Sequence, residues 1–140
     1  MTTQTFTTSL SVRIGDINYG QHLGHDRLVT LLHQARLDFL HHLGGSELSI
    51  GEGVGLIMRR LEVDYLGEGF LGDDLQITIT VSQAKSARFS LLYQVTCQQR
   101  PIATAKTEMV AFDYQLRRVA RLPVDFTHAL SPYLLPQENP

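Results

Sequence analysis

Residues 13–39, RIGDINYGQHLGHDRLVTLLHQARLDF, decide how the rest of the chain is read. The first half is a polar corner: Asp16, Asn18, His22, His25 and Asp26 gather around Gly15, Gly20 and Gly24 with no apolar period. The second half is helical. Leu28, Leu31, Leu32, Ala35, Phe39 and then Leu43 recur at three- and four-residue steps, while Arg27, Gln34, Arg36, Asp38 and His41 fall elsewhere. His25 or Asp26 opens this helix and Gly44-Gly45 closes it. A helix of about 20 residues is ~30 Å long, enough to lie across a sheet of several strands. The corner therefore delivers acid, amide and imidazole groups to a helix N-terminus, beside unpaired backbone N–H groups and a partial positive charge. Such a place suits polarising a carbonyl oxygen, with the backbone from Leu23 through Gly24 and His25 to Asp26 as the candidate donors.

Working outward, Phe6, Thr8, Leu10, Val12 and Ile14 alternate with Thr7, Ser9, Ser11 and Arg13, the period of a half-buried strand. After the helix, Ser46 to Gly53 reads as a turn, with glycines at 51, 53 and 55 making it the loosest segment. Four strands follow. Gly55 to Tyr65 is apolar but irregular. Leu75, Ile77, Ile79 and Val81 alternate with Gln76, Thr78, Thr80 and Ser82, and Phe89, Leu91, Tyr93, Val95 and Cys97 with Ser90, Gln94, Thr96 and Gln98. Gln99-Arg100-Pro101 turns the chain into Ile102 to Tyr114. The order is strand, long helix, then a four-stranded meander, which predicts an α+β fold with one antiparallel sheet covered by one helix. Pro123 to Leu130 reads as a last helical turn and residues 131–140 as a loose tail, all within a single domain spanning 1–140.

Composition narrows the function. A net charge of −2 lacks the basic balance of a nucleic-acid binder, while leaving room for a small anion held by local arginines. One cysteine, Cys97, makes neither an internal disulfide nor a thiolate metal site, so a reducing, cytoplasmic setting is expected. The Thr-rich N-terminus has no apolar run and no window approaches a membrane span, so no membrane partner is expected. His22, His25 and Asp26 do not form a recognised ligand frame, so no metal is expected either.

The loop Asp16-Ile17-Asn18-Tyr19-Gly20-Gln21-His22-Leu23-Gly24-His25 resembles the D-x-D-x-x-G-H-V-N-N run of hotdog-fold acyl-CoA thioesterases of the 4-hydroxybenzoyl-CoA thioesterase-like family. Gln34-Ala35-Arg36 is similar to the E-A-R on that family's long helix, and YLGEGFLGDDL, residues 65–75, to its Y-x-x-P-x-x-x-G-D-x-L hinge. The likeness runs from about Ser9 to Pro123. It implies a hotdog fold, an antiparallel sheet of about five strands around one long helix. It also implies a thioesterase that hydrolyses an acyl-CoA or acyl-carrier thioester, with coenzyme A as part of the substrate and no separate cofactor. The site is expected to be shared between subunits of a homodimer or homotetramer, an expectation that exposed sheet edges support on their own.

The chain departs from that pattern at one position. The family's second acid, the nucleophile or base, is here Asn18, whose amide neither takes up a proton at neutral pH nor attacks well. His22 is the nearest alternative base, with a reference pKa near 6.5. Asp16 is the third catalytic candidate, although a carboxylate at such a corner also caps backbone N–H groups. Glu62, Asp64 and Glu68 lie where a partner subunit could present an acid. Arg59, Arg60, Arg117 and Arg118 are candidates for the phosphates of coenzyme A, since a guanidinium fork matches phosphate geometry. Two rival readings stay open: hydration of an enoyl thioester on the same fold, and an acyl-thioester binding module without turnover.

Overall fold

The structure, a computed structural model, describes residues 3–137. Its strands are β1 (Phe6–Ser11), β2 (Gly55–Tyr65), β3 (Asp74–Ala84), β4 (Arg88–Cys97), β5 (Arg100–Asp113) and the short β6 (Arg118–Val119). The helices are α1 (His25–His42) and α2 (Val124–Leu130). All pairings are antiparallel, in the order β1-β3-β4-β5-β2, with β6 returning onto β5. One long helix packed on one antiparallel sheet is the expected α+β hotdog arrangement. The core forms where the alternating residues predicted for one face, Leu75, Ile77, Ile79 and Val81 on β3 and Leu91, Tyr93 and Val95 on β4, meet Leu28, Leu32, Ala35, Phe39 and Leu40 of α1. The other face carries the Thr, Ser and Gln of the same strands.

Four features differ from the sequence expectation. β2 does not meander into β3: it pairs with β5 at the far edge, so residues 66–73 must cross the end of the sheet to reach β3. Crossing three strand spacings covers ~14 Å, and this crossover builds the wall of the candidate site. β1 stops at Ser11, and Ile14 opens a 3-10 turn through Asp16 that brings the corner round. The β4–β5 turn is one step earlier than Gln99-Arg100-Pro101: Cys97 pairs with Arg100, and Gln98 and Gln99 both take positive φ, 50° and 68°, as a two-residue hairpin turn requires. Part of the tail expected to be loose is packed. Tyr133 is buried against Phe39, the Leu135 N–H donates to the Val81 carbonyl (2.7 Å), and the last residues of that expectation, 138–140, lie outside the described residues.

α1 begins and ends as its sequence requires. Gly24 is the N-cap, and Gly44 just beyond the helix takes φ +89° with its N–H donating to His41. Arg36, which the periodicity places among the polar residues, is instead 6% exposed. Its Nη1 donates to the Tyr93 hydroxyl (3.3 Å) and its Nε to Glu47 (3.2 Å), while Tyr93 and Thr107 hydroxyls pair at 2.8 Å. This buried network ties α1 to β4, β5 and the loop after the helix.

Candidate active site

The corner is built by its own backbone. The Asn18 and Gln21 N–H groups donate to His22 and Asn18 carbonyls (both 3.0 Å), and Gln21 takes φ 65° to close the turn. The Gly20 N–H donates to Asn18 Oδ1 (2.9 Å), an Asx turn that fixes the carboxamide and leaves its NH2 unengaged among the described residues. A Cβ on Gly20 would sit 3.1 Å from His22 Nε2 and 3.2 Å from Asn18 Oδ1, so glycine here leaves room for both side chains over the turn. His22 Nδ1 lies 3.2 Å from the Leu23 carbonyl oxygen. A carbonyl only accepts, so Nδ1 is the donor in this contact and Nε2 is the ring nitrogen left to exchange a proton.

Next comes the helix start. Leu23 N–H donates to Gly69 (2.8 Å) and Gly24 N–H to Asp16 (2.9 Å), which removes both from the expected set of carbonyl-binding donors and makes them anchors. The first helical bond is Leu28 N–H to Gly24 (3.0 Å). Gly24 has no side chain to cap with, so the N–H groups of His25, Asp26 and Arg27 have no partner among the described residues. Three orphan amides at the positive end of an 18-residue helix remain, which is where an anionic oxygen is stabilised.

The crossover closes the opposite side. Leu66 and Gly67 N–H groups donate to the Ile102 carbonyl, and Gly67 passes so near the β4–β5 turn that a Cβ there would come 2.6 Å from the Pro101 oxygen. Asp73 accepts from Phe70 N–H (2.9 Å) and Arg100 (3.3 Å). The hinge motif thus shapes a wall of the site. Between wall and helix lies a cleft of 380 Å³. Its mouth holds Asn18, His22, His25, Tyr65 and Glu68, and its interior is apolar, with Leu23, Leu28 and Ile102.

The structure therefore brings together Asn18, His22 and the start of α1, as expected, and sets Asp16 apart. The Asp16 carboxylate accepts from Arg13 N–H (2.9 Å) and faces a separate hollow beside Thr30 and Leu31. Its corner needs a cap, and that need uses the carboxylate. Asp26 does not line the cleft: its Oδ1 lies at the helix start, 2.8 Å from where a Cβ on Gly24 would sit, and its charge is felt by the Tyr65 phenol. Glu68 lines the cleft from this same chain, while Glu62 pairs with Arg60 (2.6 Å) on the outer face of β2. Of the crossover, the sequence points to Glu68 as an acid presented by a partner subunit, but it does not point to Tyr65 as a lining residue, although Tyr65 opens the hinge motif.

The four arginines do not converge. Arg60 is engaged by Glu62, Arg117 lies over the Phe112 ring (5.7 Å), and Arg118 is exposed opposite Asp113. Only Arg59, lifted by the bulge between Met58 and Arg60, faces a hollow, of 610 Å³. Its other cations are Lys85 and Arg88 from the β3–β4 turn, over a floor of Ile57, Val110 and Val119. Along β2 this hollow lies six residues, ~20 Å, from the cleft end at Tyr65. No group of three or more His, Cys, Asp or Glu among the described residues is placed to hold a metal. No described helix is long and apolar enough to cross a membrane.

The chain is similar to the 1,4-dihydroxy-2-naphthoyl-CoA hydrolase of Synechococcus elongatus, at 25% identity over 115 residues that cover 80% of this chain and 85% of the relative. Among solved structures it is similar to a 1,4-dihydroxy-2-naphthoyl-CoA thioesterase from Synechocystis, with TM-score 0.82 and 23% identity over 91% of this chain and 96% of that one. A protein from Staphylococcus aureus solved in complex with CoA superposes with TM-score 0.85 at 20% identity, covering 100% of this chain and 92% of the other. These likenesses confirm the hotdog fold. The model of the thioesterase-like superfamily matches residues 12–130, from the residue after β1 to the end of α2, and the chain belongs to that superfamily.

Proposed function

We propose that this protein hydrolyses an acyl-CoA thioester to the free acid and the thiol. The observation that carries the reading is the meeting, in one apolar-floored cleft, of an uncapped helix N-terminus with an imidazole whose Nε2 is free to accept a proton. The thioester carbonyl oxygen lies at the orphan amides of His25 and Asp26, with Arg27 the third in the turn. Water held by the Asn18 carboxamide adds to the carbonyl carbon as its proton passes to His22 Nε2. The tetrahedral oxyanion collapses, the C–S bond breaks, and the imidazolium returns the proton to the departing thiolate. A single oxyanion donor contributes about 2.7 to 4 kcal/mol in sites of this kind, so preorganised amides supply much of the rate even where a carboxylate base is missing.

The hollow lined by Arg59, Lys85 and Arg88 suits the phosphates of coenzyme A better than Arg60, Arg117 or Arg118, because it is concave and brings three cations to one lining, although Arg88 also pairs with Glu108 (3.8 Å). The relatives' names make aromatic acyl-CoAs the first arm of a substrate panel, and a cytoplasmic CoA pool is the setting that the composition favours. The test is thiol release from that panel by the wild type, His22→Ala and Asn18→Ala. His22→Ala is expected to lower kcat about 10²- to 10⁴-fold, the range of a general base. If both variants keep the full rate, this mechanism is wrong. Loss of enoyl-CoA absorbance without thiol would select hydration instead, and saturable binding without turnover would select a binding module.

A further inference from the structure

Helices in folded proteins commonly begin at Ser, Thr, Asp or Asn, whose side chain takes up one of the orphan N–H groups. α1 begins at Gly24 and has no such cap, so its first turn keeps its amides open and gives up the contact that normally holds that turn. The replacement comes from the sheet. Tyr65, the last residue of β2, donates its hydroxyl to the carbonyl of His25, the first residue of the helix, at 2.8 Å. Its ring stands edge-on to the His25 imidazole, with centroids 6.4 Å apart at 84°. Both residues line the cleft.

We infer that Tyr65 is a positioning residue that takes the place of the absent N-cap, fastening the first turn of α1 from its carbonyl side so that the amides stay both fixed and free. A capping side chain would bind an N–H and block it; a phenol on the carbonyl steadies the same turn and blocks nothing. Burial, and then the Asp26 carboxylate, hold the phenol above its ordinary value of 10.0, so it remains a donor at neutral pH. The crossover starts at the next residue, so one side chain also sets the distance between the two walls of the cleft.

This inference rests on the hydrolytic reading for its effect on rate, and on geometry alone for its effect on the helix. Tyr65→Phe keeps the ring and removes the hydroxyl. Hydrogen exchange of the intact protein is expected to quicken about tenfold at Leu28 and Val29, whose N–H groups close the first turn, and nowhere else, the loss of one hydrogen bond. kcat on the best thioester is expected to fall about tenfold with KM within twofold and Tm unchanged, because the transition-state oxyanion depends on the amides more than the bound substrate does. Unchanged exchange in the first turn overturns the inference, whatever the enzyme does. Faster exchange with an unchanged kcat overturns the catalytic half. A fall in kcat that tracks a fall in Tm assigns Tyr65 to general stability and also overturns it. A wild type that turns over no thioester defeats the hydrolytic reading while the exchange measurement still decides the role of Tyr65 in the helix.

Discussion

Asn18 shows how one residue can be both ordinary and decisive. Its Oδ1 is committed to the Gly20 N–H, the commonest use of an Asn in a loop, and that commitment aims its NH2 away from the turn. An aspartate at this position can make the same turn, since a carboxylate oxygen accepts as an amide oxygen does. Asn18→Asp is therefore expected to leave Tm within a degree or two, while placing a carboxylate beside His22 Nε2 at the mouth of the cleft. kcat should rise at least about tenfold, the low end or below for an added general base; steady-state rates on the same thioester panel check it, and an unchanged or lower rate would show that the amide's donor role is the one the site uses. At this scale the sequence was legible where a residue's chemistry is local. Asn18 and His22 are four apart in one loop and could be read from it. The separation of Leu23 and Gly24 from His25 and Asp26 could not, because it depends on Gly69 and Asp16 accepting two of the four amides. Asp16 read two ways from sequence, and only the direction of its carboxylate, toward Arg13, decides for the cap.

At the scale of elements, alternation placed β1, β3 and β4 and helical period placed α1, because each buries one face and the side-chain period reports it directly, whereas β2 was legible only by its apolar content and β5 by the turn before it. Two facts escaped that reading for one reason: they depend on which element packs against which. β2 joins β5 and not β3, and Arg36 lies under the helix and not on its exposed side. The buried Arg36 is held by Tyr93 and Glu47, with Thr107 paired to the Tyr93 hydroxyl, and Glu47 also receives His33. Burial raises the Tyr93 phenol above its ordinary 10.0, with the Arg36 charge and the Thr107 and Arg36 hydrogen bonds opposing. Below pH 10 the phenol is protonated in folded and unfolded chains alike and its burial stabilises in full. Above pH 10 the unfolded chain releases that proton before the native one does, so stability is expected to fall as pH rises from there toward the native value. Thermal melts between pH 8 and pH 11 check the direction. In the same melts at neutral pH, Arg36→Met should cost about 2 to 3 kcal/mol, less than for a fully buried ion pair because Glu47 keeps part of its solvent. A neutral or stabilising result would mean that the network contributes specificity and no net stability.

For the whole molecule, the question is what covers β2. α1 packs over β1, β3 and β4, so the inward face of β2 is only partly roofed, and its outer edge has no neighbouring strand among the described residues. Beside that edge lies a groove of 560 Å³ lined by Leu37, Leu48, Ile57 and Met58, with Leu48 77% and Met58 44% exposed. An 11-residue edge strand with an apolar margin is what soluble proteins normally pair or cover. A second copy is the partner already expected, and antiparallel pairing of two β2 edges about Arg60, their middle residue, sets Gly55 of one chain opposite Tyr65 of the other and Arg59 opposite Leu61, so that the Ile57 side of the hollow lies toward the partner's cleft. That arrangement would bring the basic hollow of one subunit to the cleft of its partner, making the two ends of a single coenzyme A site. Sedimentation at micromolar protein is expected to give twice the chain mass or a multiple of it. Met58→Glu, which places a charge in the margin, should shift the protein toward single chains and lower kcat/KM together, with KM rising most because the phosphate contacts are lost first. On a monomer the same exposed substitution would change stability by less than about 0.5 kcal/mol and leave KM alone. A wild type that sediments as one chain and still turns over thioester would place the whole site, phosphates included, within a single subunit.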